Sequence, residues 1–186
     1  MPESPLNPVH DALVRLGIQA EIRKLPYLLV GGNAVINYGV VRFTRDIDFL
    51  IPETALNEWQ TFLEETGYRC FHASCAFCQF ESPTPNLAPV DLMLVDTSTW
   101  GKLFEKAERK PVTDDYTPLL PAGIHLIAMK LQASRSTNRR IHAQDWSDVV
   151  QLIQKLEINI KEPEIAELIV RYGGDDALSQ LEKDLS

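Results

Sequence analysis

Between residues 9 and 25, apolar positions recur at helical spacing. Val9, Leu13, Leu16 and Ala20 share one face, and Pro26 ends the pattern. YLLVGG (27–32) is a short apolar run that stops at two glycines, the mark of a buried strand entering a tight turn. NAVINYG (33–39) then reads as a short helix with Asn33 as N-cap and Gly39 as C-cap. In DIDFLIP (46–52) the period changes to two. Ile47, Phe49 and Ile51 face one way, and Asp46, Asp48 and Leu50 the other. A helix follows over 53–67, with Leu56, Trp59, Phe62 and Leu63 as its stripe and Gly67 as its stop.

YRCFHA and CAFCQFE read as a hairpin or as two strands, the Pro-rich SPTPNLAP (82–89) as a loop, and VDLMLVD (90–96) as a strand with an aspartate near its start. Residues 98–108 are expected to be helical. From about residue 121 the strand signals cease. Helical patterns occupy 122–134, 143–157 and 162–173, with a short final helix over 174–184. Strands followed by helices predict an α+β core with a C-terminal helical extension.

Composition changes this picture little. The 186 residues are 45% hydrophobic and 24% charged, ordinary values for a globular protein. No apolar run is long enough to cross a bilayer, and MPESPLNPVH lacks the basic-then-apolar order of a secretion signal, so a cytoplasmic protein without a membrane partner is expected. Charge matters more. A net charge of −8 argues against broad, sequence-independent nucleic-acid binding. A local footprint is compatible with it: SRSTNRR (134–140) holds three arginines among small polar residues, either a phosphate-contacting loop or a solvated connector.

Cys70, Cys75 and Cys78 lie near His72 and invite a zinc reading. The segment is strand-like and rich in Phe and Ala, with no second ligand pair, so free cysteines buried in a sheet are expected instead.

The aspartates are the chemical anomaly. An unpartnered carboxylate in a core strand is costly, and period-two geometry sets Asp46 and Asp48 on one side of the strand, about 7 Å apart. Asp91 opens another strand that could lie beside it. Three converging carboxylates repel unless a cation joins them. A hard divalent ion such as Mg²⁺, sharing its shell with substrate phosphates, would resolve the conflict; the alternative is a set of exposed edge residues. Gly31 and Gly32, just before a helix start, would let the backbone approach a phosphate, or simply form a tight turn. Lys130 lies among Leu126, Ile127, Ala133 and Ser134 on a largely apolar face, where a lysine ordinarily snorkels outward.

The sequence VGG, then RFTRDID, then VDLMLV resembles the DNA polymerase β-like nucleotidyltransferase superfamily, whose pattern is a Gly-Gly or Gly-Ser turn, a spaced acid pair and a third acid on a later strand. GGNAVINYGVVRFTRDIDFLI looks especially like the minimal AbiEii/MenT-type nucleotidyltransferases, toxins of type IV toxin–antitoxin systems. HLIAMKLQA and RRIHAQDWSDVVQLI are similar to that group's helical region. The resemblance spans roughly residues 27–156. It implies a mixed sheet flanked by helices, with residues 1–120 as the nucleotidyltransferase core and 121–186 as a helical region that packs on it and completes the site. It makes Gly31 and Gly32 the phosphate turn, Asp46 and Asp48 the metal pair, and Asp91 the third acid, which helps deprotonate the acceptor and ligates metal. Lys130 would hold the triphosphate and Asp145, or Asp148 one turn on, would be the helical acid; Arg42 and Thr44 match the R-x-T before the acids. Gly32 departs from the pattern, since many members carry Ser there.

The expected chemistry is transfer of an NMP from an NTP to a hydroxyl, with a two-metal Mg²⁺ site and loss of pyrophosphate. The toxin resemblance points to tRNA 3′ ends as acceptor and to a cognate antitoxin as partner. The acidic composition points instead to a small molecule such as an aminoglycoside, or to a protein hydroxyl. Two rival readings are a non-catalytic nucleotide-binding module and a DxD glycosyltransferase, the latter disfavoured by chain length and by the Gly-Gly turn so close before the acids.

Overall fold

The computed structural model describes residues 8–84, 87–135 and 139–185. The chain divides into two compact units, Met1–Asn37 with Arg42–Pro121, and Tyr38–Val41 with Ala122–Ser186.

The first unit is built on a mixed five-stranded sheet. Helix α1 (Pro8–Ile22) leads into strand β1 (Leu28–Leu29), helix α2 (Gly31–Asn37) and strand β2 (Ile47–Pro52). A 3-10 turn (Glu53–Ala55) enters helix α3 (Leu56–Glu65), followed by strands β3 (Arg69–Ala73), β4 (Phe77–Glu81) and β5 (Val90–Val95). Helix α4 (Thr97–Glu105) comes next, then a small two-stranded sheet of β6 (Glu108–Arg109) and β7 (Leu119–Leu120). The large sheet has the order β1-β2-β5-β4-β3. Only the β2–β5 pair is parallel, and its register sets Asp48 opposite Asp91.

Helix α1 buries Ala12, Leu13, Leu16 and Ala20, but ends three residues before the expected stop. Lys24 adopts φ 59° and the Leu25 N–H donates to the Ala20 carbonyl, a left-handed cap that terminates the helix ahead of Pro26. Under the sheet, Tyr27, Phe49, Trp59 and Phe62 form a chain of tilted and edge-on ring contacts with centroids 5.0–5.8 Å apart. The buried Trp59 indole donates to the Pro26 carbonyl at 3.1 Å.

Burial along β2 goes further than alternation shows, and the cysteines depart from expectation at one position. Leu50, placed by alternation on the aspartate side of β2, is buried like Ile47, Phe49 and Ile51. The strand is thus covered on both faces beyond Asp48, and only its N-terminal end is open. Among the cysteines, all free, Cys78 is buried and Cys70 half-buried, but Cys75 is exposed, because the link between β3 and β4 falls at residues 74–76.

The second unit contains α5 (Gly123–Ser134), α6 (Arg139–Lys155), α7 (Pro163–Gly173) and α8 (Ala177–Asp184). Leu126, Ile127, Leu131, Val149, Leu152, Ile153, Ile169 and Leu181 are buried. Helix α6 begins four residues before the expected start. In the arginine-rich SRSTNRR stretch, residues 136–138 and the side chains of Arg139 and Arg140 lie outside the described residues. No helix among the described residues is long and apolar enough to cross a membrane.

Candidate metal and nucleotide site

In the first unit the three acids converge. Asp46 precedes β2, Asp48 lies on it, and Asp91 sits opposite Asp48 on β5. One carboxylate oxygen from each lies within 4.8 Å of the other two. Parallel pairing brings this about, because two strands running the same way present their first exposed residues at the same end of the sheet.

The glycines are explained by contact as well as by conformation. Gly31 has φ +60°, a left-handed value, and opens α2 directly from the strand end. A Cβ there would lie 1.9 Å from Asp48 Oδ2 and 2.7 Å from Asp48 Cβ, so only glycine lets Asp48 stand against the turn. A Cβ on Gly32 would lie 2.4 Å from Thr44 Oγ1 and 3.1 Å from an Arg42 guanidinium nitrogen. The space of the missing residue-32 side chain is therefore filled by the two side chains of the R-x-T segment.

Helix α2 starts two residues earlier than expected, and Asn33 is not its cap. Asn33 lies inside the helix, buried, and its Nδ2 donates to the Asp46 carbonyl at 2.8 Å. The buried Thr44 hydroxyl donates to Asp46 Oδ1 at 2.9 Å. Backbone and carboxylate of Asp46 are thus each fixed by a separate neutral donor. Gln79 Nε2 on β4 donates to Asp91 Oδ2 at 3.1 Å. Burial pushes the Asp91 carboxyl above the ordinary carboxylate range; the Gln79 hydrogen bond opposes the rise, and the nearby Asp46 charge adds to it.

These residues fit a divalent cation. The donors are three hard carboxylate oxygens, Asp91 is partly desolvated beside a like charge, and the hydrogen bonds from Thr44 to Asp46 and from Gln79 to Asp91 come from neutral groups that do not compete with a metal.

The second unit holds a separate ionic cluster. Lys130 Nζ on α5 lies 2.7 Å from Asp145 Oδ1 and 2.9 Å from Asp148 Oδ2, both on α6. All three residues are buried, Asp148 completely. The lysine therefore does not snorkel outward, as its apolar face predicts, because α6 presents two carboxylates to it. Both candidate helical acids are its partners. Gln144 Nε2 donates to Asp148 Oδ1 at 3.2 Å.

Sequence reasoning found the acids and the glycines but missed Asn33 as a clamp on Asp46, and Gln79 altogether. For Gln79 the available sign was alternation: in FCQFE, Cys78 and Phe80 are buried and Gln79 faces the other way. Its pairing with Asp91 depends on an antiparallel register that nothing in the sequence encodes locally.

No family model and no curated protein matches the sequence. Solved structures match the architecture. The antibiotic-resistance factor ANT(2″)-Ia, in complex with adenylyl-2″-tobramycin, superposes with a TM-score of 0.67 at 13% identity, over 95% of this chain and 98% of that one. The fold is the nucleotidyltransferase fold. An antigenic nucleotidyltransferase-like protein from Paracoccidioides brasiliensis shares this fold at a TM-score of 0.60 and 17% identity, over 97% of this chain and 91% of that one. The lincosamide antibiotic adenylyltransferase LnuA, lincomycin-bound, matches at 0.58 and 15%, over 78% and 97%.

Proposed function

We propose that this chain is a Mg²⁺-dependent nucleotidyltransferase that moves an NMP from an NTP onto a hydroxyl acceptor. The observation that carries the reading is the convergence of Asp46, Asp48 and Asp91 within 4.8 Å at one end of β2 and β5, in a nucleotidyltransferase fold. Asp46, Asp48 and Asp91 would hold the metal, which when bound neutralises phosphate charge as it develops.

The acceptor oxygen attacks the α-phosphorus, the bond from that phosphorus to the bridging oxygen breaks, and pyrophosphate leaves with the electron pair. Asp91 takes the acceptor proton. Gln79 engages Oδ2, so Oδ1 is the oxygen assigned to it. Gly31 and Gly32 offer backbone N–H groups to the phosphates. Arg42 and Thr44 border the same turn. The resemblance alone supports a triphosphate role for Lys130, whose ammonium Asp145 and Asp148 hold.

Two acceptors each have a supporting observation. The AbiEii/MenT resemblance supports a tRNA 3′ end and a toxin role opposed by a cognate antitoxin. The antibiotic-bound structural neighbours and the net charge of −8 support a small, cationic hydroxyl compound. Incubation with Mg²⁺, each α-labelled NTP, and tRNA, tobramycin, lincomycin or total protein separates them. The expected result is label on one acceptor class, lost on adding EDTA and in Asp48→Ala. Transfer that survives Asp48→Ala refutes the assignment.

A further inference from the structure

The row of side chains across the open face of the sheet does not end at the acids. Gln79 is the register partner of Asp91 on the neighbouring antiparallel strand. Directly opposed residues of such a pair have their Cβ atoms about 5 Å apart, within reach of a long amide. The Gln79 Nε2 to Asp91 Oδ2 distance of 3.1 Å is that contact.

Its neighbours on β4, Cys78 and Phe80, are both buried, so the strand is anchored from its other face and Gln79 contributes little to the core. A β-branched residue would serve the strand better at this half-exposed position. A lysine or arginine would reach Asp91 equally well, but would bring a positive charge where the cation is to bind. The amide does neither. It fixes the orientation of a carboxylate and leaves its charge available.

We propose that Gln79 is a positioning residue that holds the Asp91 carboxylate in the orientation needed for metal binding, as Thr44 does for Asp46. The assignment rests on the nucleotidyltransferase reading above. It adds a residue from a third strand to the site: β2 supplies Asp48, β5 supplies Asp91, and β4 supplies the donor that orients the latter.

The test uses the full chain freed of metal, with Mn²⁺ as the probe, read by electron paramagnetic resonance of free and bound ion and by calorimetry. Gln79→Leu keeps the side-chain bulk and removes the donor. Its Mn²⁺ affinity is expected to fall by roughly 10-fold or more, while the melting temperature of the metal-free protein stays close to wild type. Gln79→Asn, one methylene short of the carboxylate, is expected to lose affinity in the same direction and covers the case in which the leucine variant does not fold. Gln79→Lys keeps a donor but adds a charge. It is expected to raise the metal-free melting temperature and still bind Mn²⁺ more weakly than wild type. Wild-type Mn²⁺ affinity in a folded Gln79→Leu or Gln79→Asn protein overturns the assignment. Asp48→Asn, titrated alongside, separates the two levels. If it loses Mn²⁺ while the Gln79 variants keep it, only the Gln79 role fails. If it too binds Mn²⁺ like wild type, the metal reading beneath the proposal fails.

Discussion

Replacing Gly31 by alanine tests the physical construction of the site. The added Cβ would stand 1.9 Å from Asp48 Oδ2, 2.3 Å from Cγ and 2.7 Å from Cβ. Real Cβ atoms essentially never approach a heavy atom within 3.0 Å, so the carboxylate must retreat by about 1 Å. Rotating the Asp48 side chain clears the first two contacts but not the third. Asp48 Cβ is fixed to the β2 backbone, so relief requires the turn or the strand to move. A left-handed φ adds roughly 1–2 kcal/mol for any residue with a Cβ, and overpacking of this kind typically costs about 1–3 kcal/mol. Together they predict a loss of about 2–5 kcal/mol. For a chain of this size that lowers the melting temperature by roughly 4–20 °C. A misplacement near 1 Å at a reacting centre is also expected to lower NMP transfer on the order of 100-fold. Gly174→Ala supplies the control, since Gly174 has φ +96° but no atom within 4 Å of its Cβ position. Its ψ of 171° places it in a region adopted almost only by glycine, so alanine there costs about 1–3 kcal/mol through the backbone alone, and should leave Mn²⁺ binding unchanged. Melting curves and Mn²⁺ titrations of both variants decide the matter. A Gly31→Ala protein with wild-type stability and wild-type Mn²⁺ affinity would refute the placement of Asp48 against the turn.

Two further perturbations address the other unit and the cap of α4. Lys130→Met leaves the buried Asp145 and Asp148 without their shared ammonium. A loss of about 3–5 kcal/mol is expected in urea unfolding, partly recovered in Lys130→Met/Asp148→Asn; an unchanged midpoint would contradict the cluster. Asp96 caps α4, accepting from the Ser98 and Thr99 N–H groups and from the Thr99 hydroxyl, bonds that hold its carboxyl below the ordinary range. A native value below the unfolded one makes this contribution complete above about pH 3.9, and it is lost as pH falls through the lowered native value. Asp96→Ala is therefore expected to melt below wild type at pH 7, with the gap closing under pH 4. A gap that widens on acidification would contradict the sign.

The acids and glycines were legible in the sequence because each leaves a local mark. Asp46 and Asp48 interrupt an apolar run at period two, and adjacent glycines punctuate a strand end. The chemistry that fixes them was not legible, because it is made by register and close approach. Thr44 was noted as part of a motif, but its contact with Asp46 and its occupation of the space at Gly32 arise from the path of the chain between α2 and β2. Asn33 has strong N-cap propensity, yet Gly31 opens the helix earlier and tertiary contact redirects the amide to the Asp46 carbonyl. Lys130 on its apolar face gave no hint of α6's two carboxylates, since helix pairing is invisible to single-helix periodicity. Leu50 shows the reverse failure: alternation gave its side of the strand correctly, but not that this side is covered beyond Asp48.

The role proposed for Asp46, Asp48 and Asp91 is to bind a nucleoside triphosphate through a divalent cation. Calorimetric titration with a non-hydrolysable NTP, with Mg²⁺ and with EDTA, on wild type and on Asp48→Asn, tests it without knowledge of the acceptor. Binding at least tenfold tighter with Mg²⁺ is expected, a difference of about 1.4 kcal/mol, with loss of that gain in Asp48→Asn. Binding indifferent to Mg²⁺, or a Mg²⁺ gain that persists in Asp48→Asn, would contradict it.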